Sequence, residues 1–167
     1  MLTFILTFLS LQAGQTATSW ERVRSPDNSS LVKFPGKPQG QVDKDIARYT
    51  FEVKGRQYKV TFYQALSAED LDWVNMRPGF PPHAGLTRWY MFQNCFTWDS
   101  LKSETARPCA SQPGEFIHVK AETWSVLAWL VLDKPRMVVM EVWGDAAMSE
   151  NDPEVKQFFG SLGFRQP

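Results

Sequence analysis

Two histidines, His83 and His118, and two cysteines, Cys95 and Cys109, are the side chains of this chain best suited to metal binding, nucleophilic attack or redox chemistry. A zinc site or an acid–base pair would need the histidines to converge with carboxylates, and neither stands in an H-E-x-x-H or triad-like spacing. His83 follows two prolines in a loop, and His118 shares alternate strand positions with Phe116 and Lys120, so both read as structural or surface residues. Ser161, in Gly160-Ser161-Leu162-Gly163, belongs to a helix end and lacks the G-x-S-x-G frame of a nucleophile elbow. No glycine-rich phosphate cradle is present. The carboxylates Asp70 and Asp72, and Glu150 and Asp152, fall where helices begin, and there they complement the helix dipole. The expectation is a non-enzymatic protein with no catalytic residue, metal or cofactor.

The cysteines leave three readings open. An even, minimal pair in an exported protein reads as one disulfide, Cys95 to Cys109, worth roughly 3 kcal/mol by the loop-entropy estimate. Two buried thiols are the second reading, and a redox or metal pair, unsupported by any C-x-x-C spacing, is the third. Compartment therefore matters, and Leu2 to Leu11 bears on it. This apolar run is too short to span a bilayer and has the length of a secretory signal's apolar region, followed by small and polar residues. Residues 1–17 read as a signal peptide removed from a secreted or periplasmic protein that keeps no transmembrane segment. The alternative is an ordinary N-terminal strand or helix of the core.

The elements that position these groups follow from periodicity. Ser30 to Phe34 is a strand stopped by Pro35 and Pro38. Asp45 to Val53 and Gln57 to Tyr63 flank Lys54-Gly55-Arg56 as a hairpin, with Lys59, Thr61 and Tyr63 making one face half polar. Ser67 with Asp70 three residues on starts a helix that Pro78 ends. A proline-rich irregular segment over residues 77–85 leads to an all-round apolar run, Leu86 to about Trp98, which reads as a buried helix. Glu115 to Ala121 alternates, with Ile117 and Val119 on one face and Phe116 and His118 on the other. Thr123 to Leu132 is apolar on both faces, as in a central strand covered on each side. Asp133-Lys134-Pro135 turns the chain into Met137 to Trp143. A last helix opens with Asp152 as cap and Pro153 at its first position, carries Val155, Phe158, Phe159 and Leu162 on one side, and stops at Gly163. These predict a single α+β domain over residues 18–167, with a central mainly antiparallel sheet between helices.

Aromatic residues, including seven Trp, make up 14% of the 167 residues, which requires a packed core. The 18 Lys and Arg balance the 18 Asp and Glu, so no net field draws in nucleic acid or an anionic membrane.

In order and spacing, Trp20…Phe34-Pro35-Gly36-Lys37-Pro38, the hairpin ending Tyr58-Lys59-Val60-Thr61-Phe62, Pro113-Gly114-Glu115-Phe116 and Val155…Phe158-Phe159-Gly160-Ser161-Leu162 resemble the PsbP-like fold. That group includes the extrinsic PsbP subunits of photosystem II, a nuclear Ran-binding factor and exported bacterial domains of unknown role. The resemblance implies an α-β-α sandwich and a protein-binding or accessory role without catalysis. A thylakoid role is not carried over, because the Ser/Arg-rich transit peptide of the photosynthetic members is missing. The segment from Arg77 to Cys109 matches the group poorly, so a function particular to this chain is expected there. The leading expectation is a protein partner bound around His83, Arg88, Trp89 and Tyr90. The runner-up is a carrier of a small ligand or lipid, and a hydrolase built from scattered Asp, Glu and His comes third.

Overall fold

The computed structural model describes residues 19–75 and 84–165. The strands β1 (Glu21–Arg24), β2 (Ser30–Phe34), β3 (Gln39–Val42), β4 (Ile46–Val53) and β5 (Arg56–Tyr63) come first, followed by helices α1 (Ala68–Asn75) and α2 (Gly85–Gln93). Then come β6 (Leu101–Ala106), β7 (Gly114–Lys120), β8 (Trp124–Asp133), β9 (Arg136–Asp145), helix α3 (Pro153–Phe159) and a two-residue strand, β10 (Gly163–Phe164). Seven strands form one antiparallel sheet in the order β3-β4-β5-β9-β8-β7-β6, and β1-β2-β10 form a second, small sheet.

Strand alternation divides the core in two. Val60, Phe62, Phe116, Leu127, Trp129, Val138, Met140 and Val142 point to one face, where Val155, Phe158 and Phe159 of α3 and Val32 and Phe34 of β2 cover them. Ile117, Val119, Val126, Ala128, Leu130, Met137 and Val139 point to the other, under Leu86, Trp89, Tyr90 and Met91 of α2. The sheet is thus sandwiched, as expected of the α+β class. Strand β8 is buried over eight consecutive residues because it lies mid-sheet with both faces covered. The β4–β5 hairpin turns on Lys54 (φ 51°) and Gly55 (φ 72°), the left-handed pair that a two-residue I′ turn requires.

Four expectations change. The apolar helix ends at Gln93 rather than near Trp98, because Cys95 takes a left-handed conformation (φ 53°) that turns Phe96 back to the amide-to-carbonyl bond with Met91. Leu101–Ala106, where the sequence suggested no element, forms the edge strand β6, paired to β7 through a bulge between Leu101 and Ser103. The last helix stops at Phe159, and Gly163 opens β10 instead of ending the helix. Asp152 precedes Pro153 as expected but makes no side-chain cap. Its carboxylate accepts from Arg56 at 2.6 Å and from the Ser149 amide at 3.3 Å.

Candidate partner-binding face

Helices α1 and α2 lie together on one face of the large sheet, at either end of residues 76–83, which fall outside the described residues and include His83. Ser67 caps α1 as its sequence predicts. Its Oγ accepts from the Asp70 amide at 3.0 Å and donates to the Asp70 carboxylate at 2.7 Å. That carboxylate also accepts from the Trp89 indole N–H at 2.7 Å, which ties α1 to α2. Gly85 permits the close approach: a Cβ there would stand 2.3 Å from the Val74 carbonyl oxygen.

Beneath α2 lies a buried charge. Glu141, only 2% exposed, stands in the apolar run of β9. Its carboxylate accepts from Lys59 at 2.8 Å, from the Tyr90 hydroxyl at 2.8 Å and from the Trp143 indole at 3.3 Å. Lys59 faces Glu141 directly in the β5–β9 register. A buried carboxylate is tolerable only when paired and hydrogen-bonded in this way. Burial first, and then the neighbouring Glu141 charge, push the Tyr90 phenol well above its ordinary value, so it stays a neutral donor. The sequence signal for this arrangement is a lone Glu in one apolar strand and a Lys breaking the apolar pattern of the neighbouring strand.

The expected partner-binding residues therefore divide. His83 lies outside the described residues. Arg88, Trp89 and Tyr90 are all buried, Trp89 packing edge-to-face on Tyr63 at 5.5 Å. Trp89 and Tyr90 fasten α2 to α1 and to the sheet, and none of the three is exposed, which corrects the expectation that they line an open surface. The exposed aromatic in this region is Phe92, 61% exposed and stacked on Trp73 of α1 with ring centroids 5.2 Å apart and planes 15° from parallel. Trp98, beyond the end of α2, is 39% exposed. The polar residues Glu69, Asp72 and Gln93 are exposed in the same two helices. Phe92 escaped the sequence reading because an all-round apolar run does not reveal which side of its helix lacks cover.

The cysteines do not form a disulfide. Cys95 is exposed in the turn after α2, beside Phe96, which packs on the α1–α2 face of the sheet, whereas Cys109 packs half-buried on the α3 face. Both thiols are free, and Phe96 next to Cys95 packs on the sheet face opposite the one Cys109 packs on. Burial raises the Cys109 thiol's pKa. His118 also belongs to the α3 face. Its pKa is lowered, first by burial and next by Lys120. Among the described residues no three or more His, Cys, Asp or Glu side chains gather as a metal site would need, and no helix is long and apolar enough to cross a membrane.

No protein family's sequence profile matches the chain, and no curated protein matches it in sequence. Its fold is similar to that of the Ran-binding protein Mog1p of Saccharomyces cerevisiae, at 7% identity and a TM-score of 0.50 over 87% of this chain and 95% of that one. A Bacteroides thetaiotaomicron protein aligns at 11% identity over 87% of this chain and 48% of its own, with a TM-score of 0.48. A Pseudomonas aeruginosa protein of unknown function aligns at 10% identity over 89% and 99%, with a TM-score of 0.47. The likeness to Mog1p establishes the α+β sandwich fold, and it agrees with the fold that the PsbP-like resemblance implied.

Proposed function

We propose that the chain is an exported, non-enzymatic accessory module of the PsbP-like kind that binds a protein partner through its α1–α2 face. The observation that carries this reading is Phe92, largely open to solvent and stacked flat on Trp73. An exposed large aromatic held rigid by a second ring loses little entropy on binding and makes an effective anchor, with polar residues around it as rim. The fold gives this surface a stiff base, since the Tyr90 bond to Glu141 locks α2 to the sheet and the Trp89 bond to Asp70 ties α2 to α1. That Mog1p, a protein of similar fold, is Ran-binding lends support to a protein partner without identifying one.

The test is affinity capture from the native cell envelope with wild-type protein and with Phe92→Ser. A partner retained by the first and lost by the second supports the reading, and identical capture by both would refute it. Export is tested by intact mass. Protein recovered from the periplasm or medium should lack roughly the first 13 to 17 residues, whereas full-length protein in the cytoplasm would refute export.

A further inference from the structure

On the opposite face of the sheet, beside α3, an open groove of about 350 Å³ is lined by Arg107, Trp129, Glu150, Asn151, Lys156 and Phe159. That volume lies within the range of small-molecule sites. Two of the lining residues are aromatic and largely buried, Trp129 and Phe159, and Phe159 is braced edge-to-face on Phe116 at 5.1 Å.

The groove's cations are held differently. Arg107 is fixed at four points. Its amide donates to the Gly114 carbonyl at 2.8 Å, and its carbonyl accepts the Trp129 indole N–H at 2.8 Å. Its guanidinium lies 4.1 Å over the Phe116 ring and donates to Glu150 at 3.1 Å. The backbone part of this arrangement depends on Gly114, where a Cβ would meet the Arg107 carbonyl oxygen at 2.5 Å. A guanidinium has five N–H donors, and the Glu150 bond uses one of them. Lys156, exposed on α3, has no ion pair or hydrogen-bond partner among the described residues for its ammonium. Two cations against one carboxylate leave the groove with a single uncompensated positive charge.

We propose that this groove binds a small organic monoanion, a carboxylate carrying a flat apolar body. The carboxylate bonds to Lys156 and to the unused donors of Arg107, and the flat body lies against Trp129 and Phe159. Glu150 disfavours a dianion such as a phosphate monoester, because only one positive charge is free to meet it. This site is separate from the α1–α2 face, so it stands whether or not Phe92 binds a protein.

The test uses indole-3-acetate as the probe and its neutral analogue indole-3-acetamide as the control, followed by NMR at the Trp129 indole N–H. Indole-3-acetate should shift that resonance saturably, and the amide should bind far more weakly. Lys156→Gln should weaken the acetate by roughly tenfold, the loss of one charge-assisted bond. Glu150→Gln should tighten it by removing the competing carboxylate. No shift at Trp129, equal binding of acetate and amide, or unchanged affinity in Lys156→Gln would each overturn the proposal. Both variants alter exposed side chains, so an unfolded protein does not confound the result.

Discussion

The hydroxyl of Tyr90 is the most informative atom to remove. Tyr90→Phe keeps the ring that packs under α2 and deletes only the 2.8 Å donor to Glu141. Oxygen Oε1 of Glu141 is then left with the longer Trp143 indole bond at 3.3 Å, in a site 2% exposed. Hydrogen bonds to charged groups contribute roughly 1.5–3 kcal/mol, so the change should cost about 2 kcal/mol. For a chain of this size each kcal/mol lowers Tm by about 2–4 °C, which predicts a fall of about 4–8 °C. The charge makes a further demand. In a Glu141→Gln background the same hydroxyl meets only a neutral acceptor, where the bond contributes about 1 kcal/mol. Tyr90→Phe should therefore cost about half as much there, a coupling near 1 kcal/mol in the double-mutant cycle. Calorimetric melting and urea titration of the four proteins measure it. A Tyr90→Phe cost below about 0.5 kcal/mol, or equal costs in both backgrounds, would refute a buried, hydrogen-bonded Glu141 carboxylate as the anchor of α2.

Other consequences follow from the same packing. Phe158 is fully buried against Phe34 at 5.4 Å and Tyr58 at 5.2 Å, so Phe158→Ala should cost about 3–5 kcal/mol in urea titration while Lys156→Ala stays near zero. His118 has a folded pKa depressed by burial and by Lys120 and Lys102, so the unfolded chain takes up its proton first as pH falls. Its contribution is present above the ordinary value of 6.5 and is lost progressively below it, and in a urea-midpoint series His118→Gln should flatten that part of the slope. Thiol titration of unfolded, unreduced protein should find two free cysteines. In the folded protein a maleimide should modify exposed Cys95 well before Cys109, whose burial disfavours the thiolate; equal rates would contradict the burial of Cys109.

Where a segment's apolar pattern alone decided its place, the sequence was a good guide. The alternation of Phe116, Ile117, His118 and Val119 placed each side chain on its correct face, and the stretch from Thr123 to Leu132, apolar on both faces, revealed a doubly covered strand. Ser67 and Asp70 announced a helix start through capping chemistry that is local and therefore visible. Edge strands were another matter. Gln39–Val42 is exposed throughout and Leu101–Ala106 nearly so, and both are held by backbone bonds to a neighbouring strand that no side-chain pattern advertises. The end of α2 was hidden because the left-handed residue is Cys95, where a glycine would have marked it. Compartment reasoning joined the cysteines, but they are free in the structure, and which sheet face each neighbourhood packs on is set by strands distant in sequence. At the candidate face the aromatic composition was legible. Which rings are buried and which are open was not, since that depends on how α1 packs beside α2.

The claim that the α1–α2 face binds a protein is tested most directly by replacing Phe92 with a photo-crosslinking amino acid in the native host. Thr105, exposed on the far edge strand β6, serves as the control position. A discrete protein adduct should form from position 92 and not from position 105, and the purified partner should bind Phe92→Ser roughly thirtyfold more weakly than wild type. The same adducts from both positions, or an affinity unchanged by Phe92→Ser, would contradict the account.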